Sequence, residues 1–513
     1  MKKLICFLLC AVMVLGIFAG CGEKEQTGGA GGDGVFRLGY ACADVTPQGS
    51  TPLGGYGDTA ERYSTGTGYP FHAITLAFTD ANDQTVVYIM LDLLLAQGFA
   101  DTLRNTLEDK LGVPKSNIMI HCTHNHSGPD MTFNDPAIAS YTALLTNGVI
   151  ASAENAMADR KPVTGMFTTF TRPERVNTVR HYLLADGNYQ AEGVGAVAKA
   201  DLIGHATVAD NLLQLVKFTR EGGKDVVMIN WQGHPRGTEP RTIATSNYPG
   251  VMRDYVEKNL DCHSIFILSG SGNLNNNSQI PGEVRFEDYI ELGNGLGEEA
   301  VKAAANFTPA TLDNILFKEN LAQIPDDGGE KTVPLYAFSM GDFAMVCAPF
   351  EIFDTNARGV REDSDFKMTF YSSCTNKSMG YLPTPMSFDW EIAYEVRITN
   401  FPKGTAEIIQ AELTGMLDGL FAEGGYTAQE KPDGYVQPEF VPSTDGKTYR
   451  NPDPGNTSAY TAVNNNFFAF TLLSDSSFKK MLALDEDLVK QILAKDTVQL
   501  IFNEQGVVVG IVE

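Results

Sequence analysis

The chain has 513 residues, 43% hydrophobic and 20% charged, a globular composition with material for a large core, which excludes disorder, coiled coil and collagen. Its 63 acidic residues outnumber 38 Lys plus Arg, so the net charge is -25 and no basic footprint for a phosphate backbone is offered, arguing against nucleic acid as a partner. The same charge opposes adsorption to an anionic lipid surface.

Lys2 and Lys3 precede Leu4 to Ala19, a stretch of apolar residues and Gly short of the roughly 20 that span a bilayer, and residues 1–20 read as a secretory signal. It ends in Phe18-Ala19-Gly20-Cys21, which resembles the lipobox of bacterial lipoproteins, with Phe18 where Leu is usual. That resemblance implies lipidation at Cys21 and a lipid anchor to the extracytoplasmic face of a bacterial cell membrane, held stably by two or more acyl chains. Residues 21–34 hold six of the chain's glycines and read as a flexible linker, reaching roughly 20 Å.

Ordered sequence begins at Phe36, with turns at Asp44-Val45-Thr46-Pro47 and Gly54-Gly55-Tyr56-Gly57. Strands are expected over His72 to Thr79 and Thr85 to Leu95; the second is apolar except for Asp92, as in a strand covered on both faces. A helix from Ala100 to Leu111 stops at Gly112, and a strand, Asn117 to His121, follows it. The alternation continues with a helix Ala137 to Ala158, a hairpin Leu212 to Trp231, a helix Gly250 to Leu260 and strand Ser264 to Leu268. A helix within Phe286 to Asn306, a hairpin Leu335 to Cys347, strand Lys367 to Ser373 and helix Thr405 to Phe421 complete it. This predicts an α/β fold, a layered α/β/α body with a mixed sheet over residues 35–425 and no internal sequence repeat. Beyond it, five prolines from Pro432 to Pro454 mark an extended linker, and residues 426–513 end in a small C-terminal subdomain with a hairpin around Glu504-Gln505-Gly506. The eight cysteines include no CxxC, so the five of the body, Cys42, Cys122, Cys262, Cys347 and Cys374, read as buried thiols.

Three of the eight histidines crowd one segment, His121 to His126. In Thr123-His124-Asn125-His126-Ser127-Gly128-Pro129 the last two imidazoles are two residues apart and project to one side of an extended chain, just past a buried strand. His234, in Trp231-Gln232-Gly233-His234-Pro235, and Glu351, in Pro349-Phe350-Glu351, also stand beyond apolar strands. A carboxylate among apolar neighbours needs a cation, a metal or a hydrogen bond. Two imidazoles and a carboxylate at strand ends have the composition of a catalytic zinc site with an open position.

These motifs, with Ser246-Asn247-Tyr248-Pro249-Gly250 and Gly380-Tyr381-Leu382-Pro383, occur in the order seen in neutral/alkaline non-lysosomal ceramidases, and residues 123–129 closely resemble that family's THTHSGP signature. The resemblance implies a zinc-dependent amidohydrolase acting on a lipid or small-molecule N-acyl substrate, with zinc held by His124, His234, Glu351 and Tyr381. It further implies that His126 contacts the substrate or reacting water and that Arg180 stabilises an oxyanion. One departure stands out: the loop carrying the family's essential serine reads Gly272-Asn273-Leu274-Asn275-Asn276-Asn277, with Asn275 in place of the serine. An amide cannot be ionised into a nucleophile, although it can donate a hydrogen bond to an oxyanion. The expected reaction is therefore attack by zinc-activated water, with His126 moving the proton and Arg180 and Asn275 polarising the carbonyl. The other class of reading is a non-catalytic zinc- or ligand-binding lipoprotein. Asp92 is expected to accept from a ligand imidazole, the alternative being a structural cap on a neighbouring helix.

Overall fold

The computed structural model describes residues 34–436, apart from 174–175, 185–188, 193–201, 281–282, 284, 327 and 390–392, and beyond them 443–444, 449–450, 467–471, 479–483, 488, 491, 497–502 and 508–512. The expected signal, Cys21 and the linker through residue 33 lie outside the described residues.

Three successive segments follow one plan. The first has strands β1 (Arg37–Asp44), β2 (His72–Thr79) and β3 (Thr85–Leu91), helix α1 (Ala100–Leu111), strand β4 (Ile118–Cys122) and helix α2 (Pro136–Ala158). The second has β5 (Lys161–Thr171), β6 (Leu213–Arg220), β7 (Val226–Trp231), α3 (Asn247–Leu260), β8 (His263–Leu268) and α4 (Tyr289–Ala304). The third has β9 (Ile315–Asp326), β10 (Gly329–Met340), β11 (Phe343–Cys347), α5 (Asp354–Asp363), β12 (Met368–Ser372) and, after two short helices, α6 (Thr405–Gly424). In each unit the first three strands are antiparallel neighbours, and the fourth, reached through a helix, pairs parallel with the third. A helical crossover is what a parallel pair requires. Strands one, three and four of a unit therefore run the same way, and their carboxyl ends emerge together.

β1 and β5 pair antiparallel and fuse the first two units into one mixed sheet, ordered β8-β7-β6-β5-β1-β2-β3-β4 with Thr308–Ala310 added on β5. The third unit is a separate four-stranded sheet. Period-two alternation sorts the side chains: Val86, Tyr88 and Met90 of β3 join Phe338, Phe343, Met345 and Phe370 of the other sheet in one core, while Val87, Ile89 and Leu91 pack under Leu103, Leu107, Leu145 and Val149 of α1 and α2. α3 and α4 cover the same sheet over β6 to β8, and α5 and α6 cover the outer face of the second. The α/β body and mixed sheet match the expected alternation, with a second sheet inserted so that the layers run helix, sheet, sheet, helix.

The two ends of the large sheet meet over the third unit. Leu268 N donates to His121 Nε2 at 3.0 Å, Ser373 N to Leu268 O at 2.9 Å and Asn376 N to Ile120 O at 2.6 Å, so the carboxyl ends of the three fourth strands are stitched together. Four of the body's cysteines are buried free thiols; Cys42, on β1, is exposed. Among the described residues no helix is long and apolar enough to cross a membrane. Near the C-terminus, Thr497–Phe502 and Val508–Val512 pair antiparallel within a small separate sheet.

Candidate metal centre

His124 and His126 lie just past β4 of the first unit, and His234 just past β7 of the second. Glu351 follows β11 and Tyr381 follows β12 in the third, directly opposite each other in a short parallel pair. All five side chains are buried. His124 sits in the left-handed region with φ 61, a conformation that costs a non-glycine residue energy and that the surrounding structure must enforce.

The three imidazoles place ligand nitrogens within 4.8 Å of one another and can hold a metal ion. His234 Nε2 is 2.8 Å from His126 Nε2, and His124 Nε2 is 3.0 Å from Glu351 Oε2. Backbone carbonyls fix two of the rings from behind: Leu94 O is 3.2 Å from Nδ1 of His124, and Ser271 O is 3.1 Å from Nδ1 of His234. A carbonyl at Nδ1 keeps a proton there and turns Nε2 inward, as metal-binding imidazoles are usually held. Glu351 Oε2 is buried and lies in ion-pair contact with His124, outside hydrogen-bond geometry. A buried carboxylate oxygen beside inward imidazole nitrogens is a donor set that suits a zinc ion.

The electrostatics agree. Burial, then the charge on neighbouring His124, keeps His126 well below the usual imidazole range; burial and both neighbouring imidazoles do the same to His234. Both are neutral and have lone pairs to give. Burial opposes a charge on His124, yet Glu351 pushes it up to about 10; burial would raise Glu351, yet His124 holds it below the usual carboxylate range.

No family model matches the chain, and no curated protein matches it by sequence. Solved structures do. One is described as a ceramidase complexed with C2, at 15% identity and a TM-score of 0.61, covering 83% of this chain and 84% of that one. Another is a neutral ceramidase from Pseudomonas aeruginosa, at 16% identity and a TM-score of 0.61, covering 82% of this chain and 81% of that one. This chain has the neutral ceramidase fold.

Within that ceramidase-like fold, Arg180 is buried, its Nε 2.6 Å from Glu395 Oε1 and its Nη2 2.7 Å from Gly272 O; Nη1 is buried without a hydrogen-bond partner. The guanidinium lies 5.5 Å from the Tyr381 ring, which places it beside the third unit's contribution. Asn275 pairs through its backbone with Thr178, two residues before Arg180, and its side-chain amide donates to Glu192. The rest of its loop is clamped: Asn273 exchanges two hydrogen bonds with Asp354, Asn276 Nδ2 donates to His234 O at 2.6 Å, and Asn277 pairs both ways with Phe286.

The expectation for Asp92 is corrected. Its carboxylate takes Nη1 and Nη2 of Arg253 at 2.8 and 2.6 Å and the backbone N of His72, tying α3 to the sheet, and the ligand imidazoles are held by carbonyls. Sequence reasoning passed over Glu395, which receives both Arg180 and His181, and over the Arg236–Glu192 pair, 3.2 Å apart. Arg236 lies two residues past His234 and was the available signal; Glu395 sits in an ordinary helical segment and gave none.

Proposed function

We propose that this chain is a zinc-dependent amidohydrolase of the ceramidase type, lipid-anchored at Cys21 on the extracytoplasmic face of a bacterial cell membrane, which cleaves an N-acyl amide with water in place of a serine nucleophile. The observation that carries the reading is the buried cluster of His124, His126 and His234 from two units, with the carboxylate of Glu351 from the third 3.0 Å from His124. His124, His234 and Glu351, with Tyr381 beside Glu351, would hold the ion. Zinc supplies Lewis acidity and a water ionised near neutral pH.

The chain's own groups do the rest. Ser271 O keeps the His234 Nε2 lone pair free for the ion, with His126 Nε2 2.8 Å from it, and His126 Nδ1 is buried without a hydrogen-bond partner. That nitrogen faces Gly55, whose φ of 108 and missing Cβ leave room: a Cβ there would stand 2.4 Å from it. A buried neutral imidazole with an open lone pair is suited to take a proton from attacking water and return it to the leaving amine. The unpartnered Nη1 of Arg180 suits the developing oxyanion, and water's oxygen ends in the carboxylate product.

The test measures zinc per purified chain and hydrolysis of N-acyl and ester substrates for the wild type, His124→Ala and His234→Ala. One zinc per chain, lost in both variants together with activity, is expected. Stoichiometric zinc without turnover on any substrate would favour the ligand-binding lipoprotein, and unchanged zinc in both variants would remove the ligand assignment.

A further inference from the structure

Where a ceramidase-type site would carry its serine, this chain builds a charged wall. Asn275 donates to one oxygen of Glu192, and Arg236 Nη2 donates to the other at 3.2 Å. Arg236 stands two residues past His234, and its guanidinium lies 5.7 Å from the ring of Tyr56, which in turn lies 5.1 Å edge-on to His126. Arg241 covers the same Tyr56 ring at 4.4 Å. The wall thus reaches from the imidazole cluster to solvent, where the Arg236 and Glu192 side chains are 17% and 22% exposed. Among the described residues the exposed large apolar side chains, such as Val208, Ile290 and Met386, are none of these.

One polar atom in this wall is left over. Arg236 Nε is buried and has no hydrogen-bond partner, although Nη2 of the same guanidinium is used. A buried N–H without an acceptor is costly, and a guanidinium edge is shaped to take a carboxylate by two parallel bonds. Long alkyl chains would gain nothing against such a surface and would strip water from its charges.

Resting on the hydrolase reading above, we propose that Arg236 recognises a carboxylate on the substrate, so that the amide cleaved is that of an N-acyl amino acid or a similar acid-bearing amide, not of a two-chain lipid. Arg236 is then a specificity residue, reading the amine side of the scissile bond, with Glu192 and Asn275 fixing its orientation.

The experiment uses the zinc-loaded full chain with N-dodecanoylglycine, its uncharged carboxamide and a ceramide, following both fatty-acid release and binding by calorimetry. The wild type should prefer the carboxylate over the carboxamide by about tenfold or more, the worth of one charge-assisted bond. Arg236→Gln should abolish that preference by weakening the carboxylate compound alone, while Arg236→Lys should restore only part of it. Hydrolysis of the carboxamide or ceramide without a preference for the acid, or a preference that survives Arg236→Gln, overturns the inference and leaves the hydrolase reading intact. Selective, Arg236-dependent binding without release of fatty acid from any compound supports the inference while rejecting hydrolysis. No binding of the acid at all overturns it.

Discussion

Both ring nitrogens of His121 are spent inside the fold: Nδ1 meets Ser373 O at 2.8 Å, and Nε2 accepts from Leu268 N at 3.0 Å. Burial lowers it from the ordinary imidazole range to about 3, so it stays neutral in the folded chain while the unfolded chain takes up a proton below about 6.5. Its contribution is therefore whole above about pH 6.5 and drains away as pH falls towards 3. His121→Phe should cost about 1–3 kcal/mol at pH 7, because the Leu268 N–H loses its acceptor. In urea titrations the gap between wild type and variant should shrink steadily between pH 7 and pH 4.5; a constant gap would show that the native ring is charged. His124, three residues on, differs only in where the backbone turns it, and that turn is a positive φ that no residue pattern announces. His124, His234 and Glu351 were legible because each stands beyond an apolar strand, and Tyr381 only through the family resemblance. Glu192 and Glu395 were not, because a long connection and a short helix bring them in, and neither has a periodic signal.

At the scale of elements, the strands and helices that sequence reasoning found are those with one strong face. Strand β2 and helix α1 have the limits expected of them, and β3 ends at Leu91, four residues short, where Asp92 turns to Arg253. The central strand β5, KPVTGMFTTFT, was missed, since Pro162, Gly165 and four threonines hide a run that is held by neighbours on both sides. β9 was missed because its outer residues alternate with charges, and α5, DTNARGVRED, because its apolar face is only Ala357 and Val360. Tertiary pairing decides such segments, not propensity. Packing between elements yields a sharper expectation at Gly39 of β1, where a Cβ would come within 1.8 Å of Ala156 O on α2. Gly39→Val forces α2 off the sheet and should lower stability by about 1–3 kcal/mol or more, seen as a lower urea midpoint with unchanged slope. A variant as stable as the parent would mean that the helix does not lie so close.

At the scale of the whole molecule, the threefold recurrence of the strand plan is invisible in the text of the sequence, because what recurs is the order and direction of pairing, and many residue choices satisfy it. The first connections of units one and two are long, running from Asp44 to His72 and from Thr171 to Leu213, and they carry Tyr56, Arg180 and Glu192; the third unit spans the same interval with a tight turn between Asp326 and Gly329. The groups proposed to face substrate are thereby separated from the stitched strand ends that carry the candidate ion ligands. A ligand that binds only the folded chain stabilises it by mass action. At zinc concentrations about 100-fold above its dissociation constant the gain is about 2.7 kcal/mol, so a chelator should lower the melting temperature, and His234→Ala should melt at one temperature with or without zinc. Equal chelator effects on both proteins would place the stabilising ion elsewhere.

Because the donors come from three separately wound lobes, no nascent fragment that ends before Glu351 can grip the ion with its full set. On the proposed ligand set, capture of a cation would be a late clasp, closing only after the last unit has docked.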